Sequence, residues 1–224
     1  MNKNIDDLKN ILNNEIENLR KTKENIENEN KKNLMEKKTF EEKVIFNSNS
    51  NIFESLDEIK FIINQLETHQ KVKNRKIFFN LLYRATRDGK RAYDFHIKCD
   101  GNVQQLVFIK TVKGEVFGGY TSIGYKSRGT DYKDEKAFLF SLTNKKIYNS
   151  KKGKTIVLDY YSYGPSFYDV IVIGDVKMFE EGGYTKENSS CGKRFDGFSK
   201  DYEINNGDGK FYIQEIEVYQ ILYK

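Results

Sequence analysis

Apolar residues recur at intervals of seven near the start of the chain. They form one column of a heptad pattern: Ile5, Leu12, Leu19 and Ile26. The companion column begins with Leu8 but continues with polar residues: Glu15, Thr22 and Glu29. A coiled coil needs both columns filled over three or four heptads. We therefore interpret residues 1–45 as a solvated, partly disordered helical arm; the alternative is a coiled coil that pairs weakly with a second copy.

Helical spacing is present again after residue 46. Ser55 is a predicted N-cap, and Glu58 completes a capping box. An apolar stripe follows it: Ile59, Ile62, Ile63 and Leu66. A second helix is predicted over Lys76–Arg87 from another stripe: Ile77, Phe78, Leu81, Leu82 and Ala85. A third, short helix is predicted over Ala92–Cys99, and we expect four residues on its inner face: Ala92, Phe95, His96 and Cys99.

From Gln104 onward the pattern is one of short runs rich in β-branched and aromatic residues. Lys113-Gly114 has the turn chemistry of a hairpin, and the paired glycines of GEVFGGYTS predict close packing within a sheet. The final run, KFYIQEIEVYQIL, alternates as a half-buried strand does. Glu215 and Glu217 are two apart on this strand, and we expect both to face solvent.

The order of these elements predicts the fold class. No pattern of helical length separates the strands, which favours antiparallel pairing. Helices followed by strands predict an α+β fold, in which two antiparallel β-sheets pack as a sandwich with flanking helices. The predicted organisation is a helical arm at residues 1–45 and one domain at residues 46–224.

Composition narrows the class of protein further. The chain of 224 residues has 16 Phe and 15 Tyr, enough large side chains to fill a core although 32% of its residues are charged. Its net charge of +5 is spread along the chain without a basic block, which argues against nucleic-acid binding. Two cysteines indicate a reducing compartment, and neither a signal peptide nor an apolar run of spanning length is visible. A cytoplasmic protein is expected.

The His and Cys residues are the first place to look for chemistry. His96 and Cys99 lie three residues apart, as a base and a nucleophile on one helix would. The C-terminal end of a helix raises rather than lowers the pKa of a thiol, so we interpret Cys99 as a packing residue. Cys191, in the basic setting SSCGKRF, is the better candidate for a redox-responsive thiol. Because only one close pair of ligand types exists, we expect no metal site, and no cofactor is implied.

Five segments in this order and spacing resemble the TLDc domain of the eukaryotic oxidation-resistance proteins and their nuclear-receptor-coactivator and TBC-type relatives. They are LLYRATRDG with FHIKCDG, IKTVKGEVFGGYTS, AFLFSLTN and FYIQEIEVYQI. The resemblance covers roughly residues 46–224. Tyr125 stands where the family commonly has Trp, and the glycine-rich turn of many members is reduced here to Tyr163–Ser166.

The resemblance implies a non-catalytic protein-interaction domain linked to oxidative-stress resistance. Several members bind the cytosolic sector of the vacuolar proton-pumping ATPase, which would place the protein at vacuolar or lysosomal membranes through a partner. The alternative is a thiol-based antioxidant or redox-responsive enzyme that uses Cys191. A third hypothesis is a scaffold whose arm, residues 1–45, selects the partner.

Overall fold

The computed structural model describes residues 2–70, 75–168, 170–174, 179, 182–185 and 192–224. Helix α1 (Asn2–Lys43) belongs to one compact unit, and Val44–Lys224 forms the other. The α1 sequence contains neither glycine nor proline, the two residues that most weaken a helix. Pairs such as Lys21 and Glu17 lie one turn apart along it, with Nζ and Oε1 separated by 4.0 Å.

The second unit combines short helices with many strands. Its helices are α2 (Leu56–Gln70), α3 (Ala85–Asp88), α4 (Ala92–Cys99) and the 3-10 helix η1 (Glu203–Asn205). Its strands are β1 (Val44–Phe46), β2 (Ile77–Arg84), β3 (Gln105–Thr111), β4 (Val116–Thr121), β5 (Thr130–Lys133), β6 (Phe138–Ser141), β7 (Lys146–Asn149), β8 (Thr155–Asp159), β9 (Ser166–Phe167), β10 (Val172–Ile173), β11 (Gly183–Tyr184), β12 (Lys210–Phe211) and β13 (Ile213–Tyr223).

One large sheet organises this unit. It has seven strands in the order β1-β2-β13-β3-β4-β6-β7, and two three-stranded sheets accompany it, β10-β11-β12 and β5-β8-β9. Pairing within the large sheet is antiparallel except between β1 and β2, which run parallel. The predicted α+β class, with antiparallel sheets and flanking helices, is confirmed.

Both faces of the large sheet are covered. On β3, Val107 and Ile109 point into the main core cluster, together with residues of α4, β8 and the small sheets. Phe108 points to the opposite face, where its ring lies 5.0 Å from that of Phe53 and 6.0 Å from that of Tyr219. Because successive strand residues alternate between faces, a strand buried on both sides has few exposed positions.

Two of the three helices predicted after residue 46 are confirmed. In α2 the predicted stripe is fully buried, and the Ser55 backbone N–H donates to Glu58 Oε1 at 3.0 Å, as a capping box requires. The four residues expected on the inner face of α4 are all buried: Ala92, Phe95, His96 and Cys99. The hairpin at Lys113-Gly114 is also present between β3 and β4.

The helix predicted over Lys76–Arg87 is wrong. Residues 77–84 form strand β2, in which buried and half-buried positions alternate, and only the four residues of α3 after it are helical. The side chains expected on one helical face therefore divide between the two faces of the sheet. Ile77 and Leu81 lie on one face, and Phe78 and Leu82 on the other.

The expectation that Glu215 and Glu217 face solvent is also wrong. Both are buried, because β13 lies between β2 and β3 in the middle of the large sheet. Glu217 Oε1 accepts from the Arg84 side chain at 2.7 Å and from the Asn51 backbone N–H at 2.8 Å. Glu215 accepts from the backbone N–H of Thr86 at 3.2 Å and from its hydroxyl. These carboxylates fix the 50–51 segment and the end of β2 to the sheet.

Candidate interaction face

The segment between β2 and β3 positions helix α4. After α3 the chain turns at Gly89, whose φ of +122° favours glycine. A side chain at Gly89 would also collide with the carboxyl group of Asp94. That carboxylate accepts from the Arg91 backbone N–H at 3.1 Å and so satisfies a donor at the start of α4. The direction of the helix is therefore set by local contacts at its first turn.

One side of α4 is packed into the core. The Phe95 ring lies 5.8 Å from that of Tyr83 and 5.2 Å from that of Tyr125, both in edge-on geometry. Tyr125 thus occupies a fully buried aromatic position. Cys99 is buried beside them, and its carbonyl accepts from the Gln105 side chain at 2.7 Å. Burial raises the pKa of the Cys99 thiol well above its usual value, and this agrees with its interpretation as a packing residue.

His96 connects α4 to two loops. Its Nδ1 lies 2.8 Å from Asp100 Oδ1 and 3.0 Å from Ser127 Oγ. Its Nε2 lies 2.9 Å from the carbonyl oxygen of Tyr163 and 3.1 Å from that of Tyr160. Both ring nitrogens therefore face acceptors, an arrangement that suits the doubly protonated imidazolium. Burial disfavours that charged form, but the Asp100 carboxylate and the two carbonyls outweigh burial, and the pKa of His96 is raised.

His96, Asp100 and Ser127 do not have the proton arrangement of a catalytic triad. In a triad the carboxylate and the nucleophile contact different nitrogens of the imidazole. Here both lie at Nδ1, and Nε2 is turned to backbone carbonyls. The Ser127 hydroxyl donates to Asp100 Oδ2 at 2.6 Å, so its proton is directed to the carboxylate and not to the imidazole. The cluster is suited to fastening the two loops to α4.

A second buried carboxylate shapes the loop that carries Ser127. Asp159 is fully buried at the end of β8, and it accepts from the backbone N–H groups of residues 126, 127 and 128 at 3.0–3.2 Å. The Arg128 guanidinium contacts the same carboxylate at 2.6 Å. Ser127 has a φ of +50°, a conformation that a serine keeps only when its surroundings hold it there. The Asp159 contacts supply that restraint.

We expect the stability of the protein to depend on the charge of His96. Because the folded-state pKa is raised, this contribution is fully present below the unfolded value of 6.5 and is lost as pH rises through the folded pKa. NMR titration of the imidazole should give a pKa above 6.5 in the native protein. In Asp100→Asn the pKa should fall, because the nearest anion is removed. A native pKa at or below 6.5 would contradict this reading.

The opposite side of α4 is exposed and carries two large apolar side chains. Tyr93 and Ile97 are 68% and 60% exposed, and their spacing of four residues places them on one face. Arg91 and Lys98 are exposed at the two ends of the same helix. Tyr161, 74% exposed, lies on the loop whose carbonyls accept from His96. We call these five residues the α4 face.

The α4 face carries two cations, Arg91 and Lys98, and the nearby carboxylates make most of their hydrogen bonds to other groups. Asp94 caps the helix, and Asp100 contacts His96 and Ser127. Asp88 accepts from the Arg84 backbone N–H at 2.9 Å and from the Arg87 side chain, and Lys98 Nζ forms a longer ion pair with it at 3.9 Å. The α4 face therefore presents apolar side chains within a basic rim, which is a composition suited to contacting another macromolecule.

The α4 face is not among the predictions from sequence. The predictions cover the helix and its inner residues. A helical projection of residues 92–99 places Tyr93 and Ile97 opposite Phe95 and Cys99, which is the available signal. Tyr161 is far from α4 in sequence, and its loop meets the helix through His96, which contacts the carbonyls of Tyr160 and Tyr163.

The chain has one further cysteine and one further histidine, Cys191 and His69. Cys191, the candidate redox-responsive thiol, lies outside the described residues. His69 is in α2, where its Nδ1 contacts the carbonyl of Lys136 at 3.1 Å. In the part of the chain that the structure describes, no group of three or more His, Cys, Asp or Glu side chains is placed to hold a metal ion.

Comparison with known proteins identifies the family. The profile of the TLDc domain matches residues 46–222, which is most of the chain. A search of curated proteins finds no match. None of the described helices combines the length and apolar character needed to cross a bilayer. With a family match of this extent and an α+β fold of antiparallel sheets, the chain belongs to the TLDc domain family.

Proposed function

We propose that the protein is a non-catalytic interaction module that binds a protein partner through the α4 face. The observation that carries this proposal is the exposure of Tyr93 and Ile97 on a helix whose other side is packed into the core. Large side chains on a rigid element can be buried by a partner at little cost in ordering. Membership of the TLDc family, whose members are generally non-catalytic, supports the same class of function.

The proposed partner is the cytosolic sector of the vacuolar proton-pumping ATPase. The choice of partner rests on what TLDc membership implies. The same membership implies a role in resistance to oxidative stress. This partner would place the protein in the cytoplasm at vacuolar or lysosomal membranes. The chemistry of the α4 face adds a requirement for the partner surface: an apolar pocket for Tyr93 and Ile97, bordered by carboxylates that pair with Arg91 and Lys98.

The test is direct binding of the full chain to the purified cytosolic sector of that ATPase. We expect the native protein to bind, and a Tyr93→Ser, Ile97→Ser double variant to bind at least about tenfold more weakly, since central apolar anchors carry much of an interface energy. The matched control is Val112→Ser. Val112 is also exposed, but it follows the far end of β3 from α4.

The possible outcomes test the identity of the partner and the position of the contact surface separately. Absence of binding by the native chain would remove the ATPase as partner. Binding that the double variant leaves unchanged would remove the α4 face as the contact surface. Thermal unfolding should be the same for the double variant and the native chain, because neither side chain is buried in the fold.

A further inference from the structure

An apolar stripe on α1 continues beyond the heptad column visible in the sequence. Its members are exposed, from 39% for Ile16 to 70% for Leu19: Leu12, Ile16, Leu19, Ile26 and Leu34. At 3.6 residues per turn, these positions fall within an arc of about 80° around the helix axis. Ile11 and Met35 are also exposed but lie outside this arc. The stripe is therefore a single narrow seam along the helix.

Two columns of an eleven-residue repeat contribute to the seam. Leu12 and Leu34 are 22 residues apart, which is two eleven-residue repeats, or six turns at about 3.67 residues per turn. A seven-residue spacing places Glu15 and Thr22 in the second column, whereas an eleven-residue spacing relates Leu12 to Leu34. Leu8, Leu19 and Asn30 occupy equivalent positions in successive repeats, as do Leu12, Lys23 and Leu34. Such a repeat lets two almost straight helices stay in contact along their length.

The net charge of residues 1–45 indicates which kind of surface could cover this seam. Residues 1–45 contain ten basic and ten acidic side chains. A membrane surface or a nucleic acid would be recognised by an excess of basic residues, which this segment lacks. The seam between Leu12 and Leu34 is roughly 33 Å long at 1.5 Å per residue. An identical seam matches it in length, in apolar character and in neutral charge.

The polar members of the seam indicate how two copies would align. Asn30 lies near the centre of the arc and Lys23 close to it. In a parallel pair each apolar position meets itself, and the two Asn30 amides face each other across the seam. A single Asn in such a position fixes register and favours two strands at some cost in stability. Lys23 Nζ has Glu27 Oε1 3.9 Å away on the same helix, which moderates repulsion between the two lysines.

We propose that the chain forms a parallel, in-register homodimer in which the α1 seam packs against the same seam of a second copy. The dimer presents two α4 faces from one assembly. A partner with repeated binding sites would then be held more tightly than by one face alone. Dimerisation itself is independent of which partner the α4 face binds.

Sedimentation equilibrium of the full chain tests this proposal. We expect the mass to rise with concentration from 26.3 kDa toward twice that value. Leu19→Glu should weaken the dimer roughly a hundredfold or more, because two buried leucines are lost and two charges face each other. The matched control Asn14→Glu adds the same charge on the opposite side of the helix and should leave the dimer unchanged.

Two further variants address register and direction. Asn30→Leu should tighten the dimer, because it replaces the polar layer with an apolar one. In a Cys191→Ser background, Leu12→Cys should cross-link two chains under oxidation, since a parallel pair places the two introduced thiols opposite each other. A single-chain mass at every concentration would overturn the proposal. A dimer that ignores Leu19→Glu, or one that Leu12→Cys cannot cross-link, would also overturn it.

Discussion

Glu217→Gln is expected to lower the free energy of unfolding by about 3–5 kcal/mol, because it breaks a buried ion pair while leaving the cation in place. Glu217 is fully buried and the Arg84 side chain is only 13% exposed. Glutamine fills nearly the same volume, so the loss reports charge and hydrogen bonding rather than a cavity. The glutamine amide hydrogens would also point at groups that now donate to the carboxylate. One such group is the Ser50 hydroxyl, 2.6 Å from Glu217 Oε2.

Urea denaturation measures this effect, and Glu54→Gln is the matched control. Glu54 is exposed, so the same change there should alter stability by no more than about 0.5 kcal/mol. A typical domain has only about 5–15 kcal/mol in total, so Glu217→Gln should leave a marginal fold. If both variants unfold at the same urea concentration, Glu217 does not anchor the sheet.

Gly118→Ala is expected to cost about 3 kcal/mol or more, the upper part of the range for overpacked sites. Gly118 lies in β4, between β3 and β6. A methyl group there would overlap the carbonyl oxygen of Val107 and come within 2.8 Å of the Phe140 ring. The carbonyl belongs to a neighbouring strand and cannot retreat as a flexible side chain can. The close packing predicted for these glycines from the sequence is confirmed.

Gly174→Ala separates this steric effect from the general effect of replacing glycine. Gly174 does not require a positive φ, and no described atom lies within 4 Å of a methyl group placed there. Its replacement should change the urea midpoint little, or raise it slightly, because alanine reduces the freedom of the unfolded chain. Equal losses at Gly118 and Gly174 would show that contact with Val107 is not the cause.

The contrast between α2 and β2 shows which local structure could be predicted from sequence. In α2 the apolar positions, the N-cap and the capping box agree, and the helix is found where it was expected. In β2 almost every residue is apolar, so the spacing fits a helix and a strand equally well. The composition IFFNLLYR, with aromatic residues and isoleucine, favours a strand, but its position beside β13 decides the outcome.

The candidate site was harder to predict because its contacts are non-local. The sequence identifies His96 and its neighbour Asp100, but Ser127 and the Tyr160 carbonyl reach the ring only after two loops have folded over α4. The same limit applies to Glu217, whose partners include Ser50 and Arg84. Alternation along β13 correctly places Glu215 and Glu217 on one face, but it cannot say whether another layer covers that face.

The central position of β13 has a consequence for how the chain is made. All the other strands precede β13 in the sequence, yet β2 and β3 can join only through it. At the usual speed of synthesis, β2 waits on the order of ten seconds before β13 leaves the ribosome. During that interval the β2 edge that will pair with β13 is open to other strands. We expect newly made chains to need chaperone protection until β13 closes the gap between the two halves of the sheet.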